Sequence, residues 1–230
     1  MTPLVLLPGM MCDARLFGPQ ARALQGRIPT HVLPVDGADT MEGLARLALA
    51  AAPARFALAG LSMGGIVAME MVRQAPDRVV KLALMDTNPL AEDETRKQLR
   101  GPQVDRVRAG GLSEVIRDEM KPNYLTAGPD QARILDLCMD MALALGPEVF
   151  VRQSLALRDR PDQSETLRGY GGRSLVLCGA EDALCPVARH RLMHDLLPDS
   201  RLVIIDGAAH LPTLEKPDQT TAALLHWLED

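Results

Sequence analysis

"ALAGLSMGGIVAME" occupies residues 57–70. An apolar run leads into Ser62, glycine stands two places before it and two places after it, and an apolar helical pattern follows at once. A strand that turns directly into a helix crowds the residues two positions to either side of the corner, so glycine is needed there. The corner lifts the serine hydroxyl above the edge of the sheet. The new helix aims its N-terminal amides, with their partial positive charge, at whatever reacts there. Gly60-Leu61-Ser62-Met63-Gly64 thus fits G-x-S-x-G, a nucleophile on a strand-to-helix corner. The plainer alternative is a serine that merely caps a helix.

Working outward, six short apolar runs cover residues 3–9, 30–36, 55–61, 79–86, 173–179 and 200–206. Each has the length and unbroken apolarity of a strand covered on both faces, as in a parallel sheet. Helical patterns alternate with them. Those at 41–52, 63–75 and 187–197 stop at Pro53, Pro76 and Pro198, and 218–229 closes the sequence. Such alternation predicts a doubly wound α/β fold with right-handed crossovers. Residues 89–168 break the rhythm: they hold no strand run, and Gly-Pro or Gly-Gly pairs punctuate helical patterns. The expected organisation is a core of residues 1–88 and 169–230 with a helical cap insertion at 89–168.

A chain of 230 residues, 47% of them hydrophobic, can fill one core with a modest insertion. The net charge is -5, and there is no basic block of the kind a phosphate backbone requires, so no nucleic-acid partner is expected. The N-terminal apolar run lacks a basic lead and is broken by Pro8 and Gly9, which suits a buried strand better than a signal peptide. No stretch nears the roughly 18 apolar residues of a membrane span. These features predict a cytoplasmic protein, monomer or homo-oligomer. Cys12, Cys138, Cys178 and Cys185 show no CxxC pair and no metal spacing, so free thiols and no metal are expected. Cys12 and Cys185 fall on loops near the serine.

A serine hydroxyl needs a base to take its proton, and the base needs an acid to orient it. His31 precedes the serine, His190 and His194 sit in a helical pattern as surface or packing residues, and His226 lies in the last helix. His210 alone follows the end of a late strand, at the carboxyl edge where such folds place their sites. For the acid, Asp182 sits on the loop after the preceding strand, with Glu181 as its neighbouring rival and Asp86 as a distant one.

With these residues in place, the chain resembles the α/β-hydrolase superfamily in its esterase-like branch. "GLSMGG" is similar to the family's nucleophile corner, "GAEDALCP" to its G-x-x-D-x-x-x-P acid loop, and "AAHLPTLEKP" to its histidine loop, with Glu215 and Pro217 following His210. The resemblance implies a triad of Ser62, Asp182 and His210 and favours Asp182 over Glu181. It implies an oxyanion hole of two backbone N–H groups, that of Met63 and one from the loop after the first strand. That loop commonly reads His-Gly and here reads Pro8-Gly9-Met10-Met11. Position favours Met10, with Met11 left open. The family's two earliest strands have no room here, so a six-stranded, all-parallel sheet is expected. The implied activity is cleavage of carboxylic esters with small or medium acyl groups through an acyl-enzyme on Ser62, with a small-molecule ester as partner and no cofactor. Thioesterase, lactonase and cofactor-free lyase chemistry share the triad, and a non-catalytic ligand-binding module shares the fold.

The cap sets the pocket. Residues 132–145 carry a Leu- and Met-rich stripe; if it lines the pocket, uncharged esters are preferred, because a charged group would lose hydration without a partner. Arg96, Arg100, Arg106 and Arg108, in the charged first half of the cap, are the residues that would reverse this preference.

Overall fold

The computed structural model describes residues 2–229. Six parallel strands form one sheet: β1 (Leu4–Leu7), β2 (Thr30–Val32), β3 (Phe56–Leu61), β4 (Val79–Met85), β5 (Arg173–Gly179) and β6 (Ser200–Ile205), in the order β2-β1-β3-β4-β5-β6. The expected six-stranded all-parallel sheet is therefore present. Alternation along a strand sends successive side chains to opposite covers. In β3, Phe56 and Leu58 join one hydrophobic cluster while Ala57, Ala59 and Leu61 join the other.

The expectation of cover on both faces holds for the inner strands and fails at the two edges. In β2, His31 is exposed and its neighbours are half-buried. In β6, Ile204 is 37% exposed. An edge strand lacks a neighbour on one side, and the covering helices do not reach past it. β2 is also shorter than the apolar run that announced it. Leu33 still donates to Leu6 O at 3.0 Å, but Pro34 has no N–H to continue the ladder.

Between the strands run α1 (Gly18–Leu24), α2 (Met41–Ala51) and α3 (Met63–Gln74); α9 (Val187–Leu196), α10 (Pro212–Glu215) and α11 (Pro217–Glu229) follow β5 and β6. Helix α1 has no counterpart in the apolar runs, although Pro19 near its first turn is a recognised start signal. The segment between β4 and β5 is helical: α4 (Glu94–Arg108), α5 (Leu112–Val115), α6 (Gln131–Leu145), α7 (Pro147–Arg158) and α8 (Ser164–Arg168). The stripe of α6 turns to the core. Ile134, Cys138 and Met141 are buried in the cluster that also holds Leu4, Leu6 and Leu211. No helix among the described residues is long and apolar enough to cross a membrane.

The strand order reverses between β1 and β3, where one crossover runs to each side. That switch point leaves a crevice at the carboxyl ends of the strands. The loop after β1 and the corner after β3 meet there: a Cβ built on Gly9 would lie 3.4 Å from the Cβ of Ser62.

Candidate active site

Ser62 sits at the corner between β3 and α3 with φ 54° and ψ -118°, a conformation an L-residue adopts only under constraint. The glycines explain how the corner closes. A Cβ on Gly60 would fall 2.3 Å from Gly64 O, and one on Gly64 would fall 2.1 Å from Leu7 O. The corner is anchored by Ser62 N–H, which donates to Met85 O (2.9 Å), and by Thr87 Oγ1, which donates to Ser62 O (2.7 Å).

His210 reaches the serine from the loop after β6. Its Nε2 lies 2.9 Å from Ser62 Oγ and its Nδ1 lies 2.9 Å from Asp182 Oδ2. The carboxylate accepts from Nδ1–H, which leaves Nε2 free to accept from the serine hydroxyl. Asp182 Oδ1 takes the N–H groups of Leu184 (2.8 Å) and Cys185 (3.0 Å). Burial alone would raise the Asp182 pKa, but the bonds from His210 and from those amides outweigh it and hold the carboxyl below its usual range. Asp182 and His210 are both buried, at 3% and 4% exposure.

The rival acids lie elsewhere. Glu181 accepts from Gly207 N–H at 3.3 Å and does not touch the histidine. Asp86, wholly buried at the end of β4, accepts from Gly179 N–H at 2.9 Å. Burial and then the charge of Asp182 push its pKa well above the carboxylate range.

The two oxyanion candidates of the first loop separate clearly. Met11, at φ 55°, gives its N–H to Gln153 Oε1 (2.9 Å), a fully buried side chain on α7 whose Nε2 in turn donates to Val35 O (2.9 Å). Met10 and Met63 line the cavity beside Ser62, and neither N–H has an acceptor among the described residues.

Glu215 explains why a glutamate follows the histidine. Its Oε2 accepts from the N–H groups of Ala209 (3.0 Å) and Leu211 (3.2 Å), on either side of His210, while Oε1 accepts from Thr126 N–H (2.9 Å). Tyr124 adds a backbone bond, His210 N–H to Tyr124 O at 3.0 Å, and its ring stacks on the imidazole at 6.2 Å.

Of the two roles expected for His190, surface or packing, the structure shows the second. It is fully buried; Nε2 accepts from Thr87 N–H (3.1 Å) and Nδ1 faces Pro186 O (3.3 Å). Burial lowers its pKa to about 4, so it is a neutral strut under the site. All four cysteines are free and buried, and Cys12 and Cys185 line the cavity. Asp182, Cys185 and His210 place donor atoms within 4.8 Å of one another. The first and last are already bonded together, and burial followed by the charges of Asp182 and Asp86 raises the Cys185 pKa, which keeps the thiol protonated and a poor ligand.

The cavity over Ser62 has a volume of about 260 Å³. Between β4 and β5 its wall comes from the charged first half of the segment, from Tyr124, and from Leu157 and Arg160 near the segment's end, while no residue of α6 lines it. The condition set for an apolar pocket, a lining from residues 132–145, is not met: α6 spends its stripe on the core, and the cavity wall mixes Met10, Met63 and Met120 with arginines.

A family model described as "Alpha/beta hydrolase family" matches residues 4–224. Among curated proteins, the chain is 27% identical over 247 residues to the dihydrolipoyllysine-residue acetyltransferase component of the acetoin cleaving system of Pseudomonas putida, covering 99% of this chain but 63% of that protein. It is 25% identical over 232 residues to the pimeloyl-[acyl-carrier protein] methyl ester esterase of Nitrosomonas europaea, covering 94% of this chain and 91% of that one. Among solved structures, a thermophilic esterase from Thermogutta terrifontis with malate bound superposes with a TM-score of 0.89 at 28% identity, over all of this chain and 90% of that one.

Proposed function

The chain belongs to the alpha/beta hydrolase family, and from that premise we propose that it is a serine hydrolase cleaving carboxylic esters of small or medium acyl groups. The observation that carries the reading is the continuous chain Ser62 Oγ, His210 Nε2, His210 Nδ1, Asp182 Oδ2, with 2.9 Å at each polar contact, beneath a cavity. The esterase relatives support the same reaction class.

In the proposed reaction Ser62 Oγ attacks the ester carbonyl and its proton passes to His210 Nε2. Asp182 stays ionised and stabilises the imidazolium. The tetrahedral oxyanion takes hydrogen bonds from the N–H groups of Met63 and Met10, the first strengthened by the N-terminus of α3. Collapse breaks the carbon–oxygen bond to the alcohol, which leaves with the proton from His210. Water then gives a proton to His210, attacks the acyl-enzyme, and releases the acid as the proton returns to Ser62. Residues 89–168 act in this reading as the cap that closes the cavity and limits its water.

The test is labelling with a fluorophosphonate probe alongside hydrolysis of p-nitrophenyl esters of rising acyl length. Stoichiometric labelling lost in Ser62→Ala, with activity lost in parallel while the fold persists, is the expected result. Near-parental esterase activity in that variant would remove Ser62 from the mechanism.

A further inference from the structure

The cap wall of the cavity carries three guanidinium groups, Arg96, Arg100 and Arg160. The carboxylate among them is Glu92, whose side chain is 0% exposed. Its Oε2 is occupied by Arg100, through Nε at 2.9 Å and through Nη2. Its Oε1 lies 3.1 Å from Arg160 Nη2, at an angle that makes no hydrogen bond. Arg160 has a side chain only 5% exposed and makes one hydrogen bond, from Nε to Leu90 O at 3.0 Å. Its terminal nitrogens thus make no hydrogen bond among the described residues and meet only the Glu92 carboxylate as an ion pair, although the side chain borders the cavity.

A guanidinium cannot shed its proton to escape burial. Desolvation lowers the Arg160 pKa, and the nearby charges of Arg100 and Arg96 add to that effect against the pull of Glu92. Arg96 bonds outward to Leu184 O (3.1 Å), with Asp93 at 3.7 Å on the surface. The other acid on the wall, Glu119, is already held by Gln103 Nε2 (2.9 Å) and by Arg106. The wall thus holds more cationic charge than its own acids neutralise, and the least exposed cation keeps donors that make no hydrogen bond, though its Nη2 faces Glu92. A guanidinium fork matches a carboxylate, which takes two parallel N–H bonds.

We infer that Arg160, with Arg100 and Arg96 beside it, forms an anion subsite, so that the ester cleaved at Ser62 carries a carboxylate remote from the scissile bond, as in a half-ester of a short dicarboxylic acid. This rests on the serine-hydrolase reading above and deepens it. The carboxylate supplies the missing acceptor for Arg160, and the cavity of about 260 Å³ limits the acid to a short one. Glu92 acts as the fixed counter-ion that holds Arg100 and Arg160 side by side.

The test compares kcat/KM for p-nitrophenyl butyrate and for mono-p-nitrophenyl glutarate, in the parent enzyme and in Arg160→Met, after fluorophosphonate labelling has scored the nucleophile. The parent should favour the glutarate ester at least about 10-fold, and that preference should fall on the order of 100-fold in Arg160→Met, chiefly through KM. Should Arg160→Met fail to fold, with Glu92 Oε1 left facing no cation, Arg96→Met gives the second reading, with a smaller fall of about 10-fold. Labelling with equal or better turnover of the neutral ester, or a preference that survives both substitutions, overturns the anion subsite and leaves the hydrolase intact. A chain that neither labels nor turns over either ester overturns both.

Discussion

Replacing Gln153 by leucine tests how the loop after β1 is held. Leucine approximates the volume of glutamine but offers no polar atoms. In the folded protein it would leave Met11 N–H and Val35 C=O buried without partners, where Gln153 now meets both at 2.9 Å. An orphaned buried polar group costs about 1–3 kcal/mol, so the pair costs about 2–6 kcal/mol. That is a large share of the typical 5–15 kcal/mol of net stability. At roughly 2–4 °C per kcal/mol for a chain of this length, a mid-range loss of about 4 kcal/mol lowers Tm by roughly 8–16 °C. The effect on rate is separate. Met11 is held at φ 55° by this bond, and its neighbour Met10 carries the proposed oxyanion N–H. Once Met11 relaxes, that donor loses its aim, and loss of one such donor costs on the order of 100- to 1,000-fold in kcat. Scanning calorimetry and p-nitrophenyl ester kinetics well below Tm read the two effects independently. A variant that unfolds within about 2 °C of the parent and keeps its kcat would refute the account of both the loop and the hole.

The remaining predictions concern the acid and the buried histidine. Asp182→Asn should lower kcat by roughly 10⁴-fold by fixing the wrong tautomer of His210, whereas Glu181→Gln should leave kcat nearly unchanged; equal mild losses in the two variants would break the assignment. His190 has its pKa depressed from 6.5 to about 4 in the fold, so its stabilising contribution is full above pH 6.5. As pH falls from there to about 4, the unfolded chain binds the proton first and about 3 kcal/mol is lost. His190→Gln, neutral throughout, should flatten that part of the urea-derived stability curve, and an unaltered pH slope would show that His190 is not the responsible group.

Legibility in the sequence followed distance along the chain. The corner at Ser62 was readable because the glycines that permit it lie two residues away, and β5 was readable to its last residue because one unbroken apolar run contains it. His210 stood out because it follows its strand by a few residues at the edge where sites form, whereas Asp182 was separated from Glu181 only by the resemblance of its loop to the family's acid loop. What escaped was set by contacts between distant segments. His190 lies in an ordinary helical pattern, and its burial depends on Thr87, 103 residues away. Gln153 looks like any polar helix residue until Met11 and Val35 are brought to it from more than 100 residues upstream. The α6 stripe announced burial but could not say against which partner, and it chose the core over the cavity. The pairing of Glu92 with Arg160 likewise spans the whole cap.

The seat of Tyr124 on the histidine loop has a mechanical consequence. The bond from His210 N–H to Tyr124 O and the bonds from Thr126 to Glu215 tie the middle of the proposed cap to the loop that carries His210, the proposed base. A swing of the cap about that point would pull on the imidazole and unset its alignment with Ser62. Entry by that route and readiness for chemistry would then be mutually exclusive in time, like a door whose latch also completes the circuit.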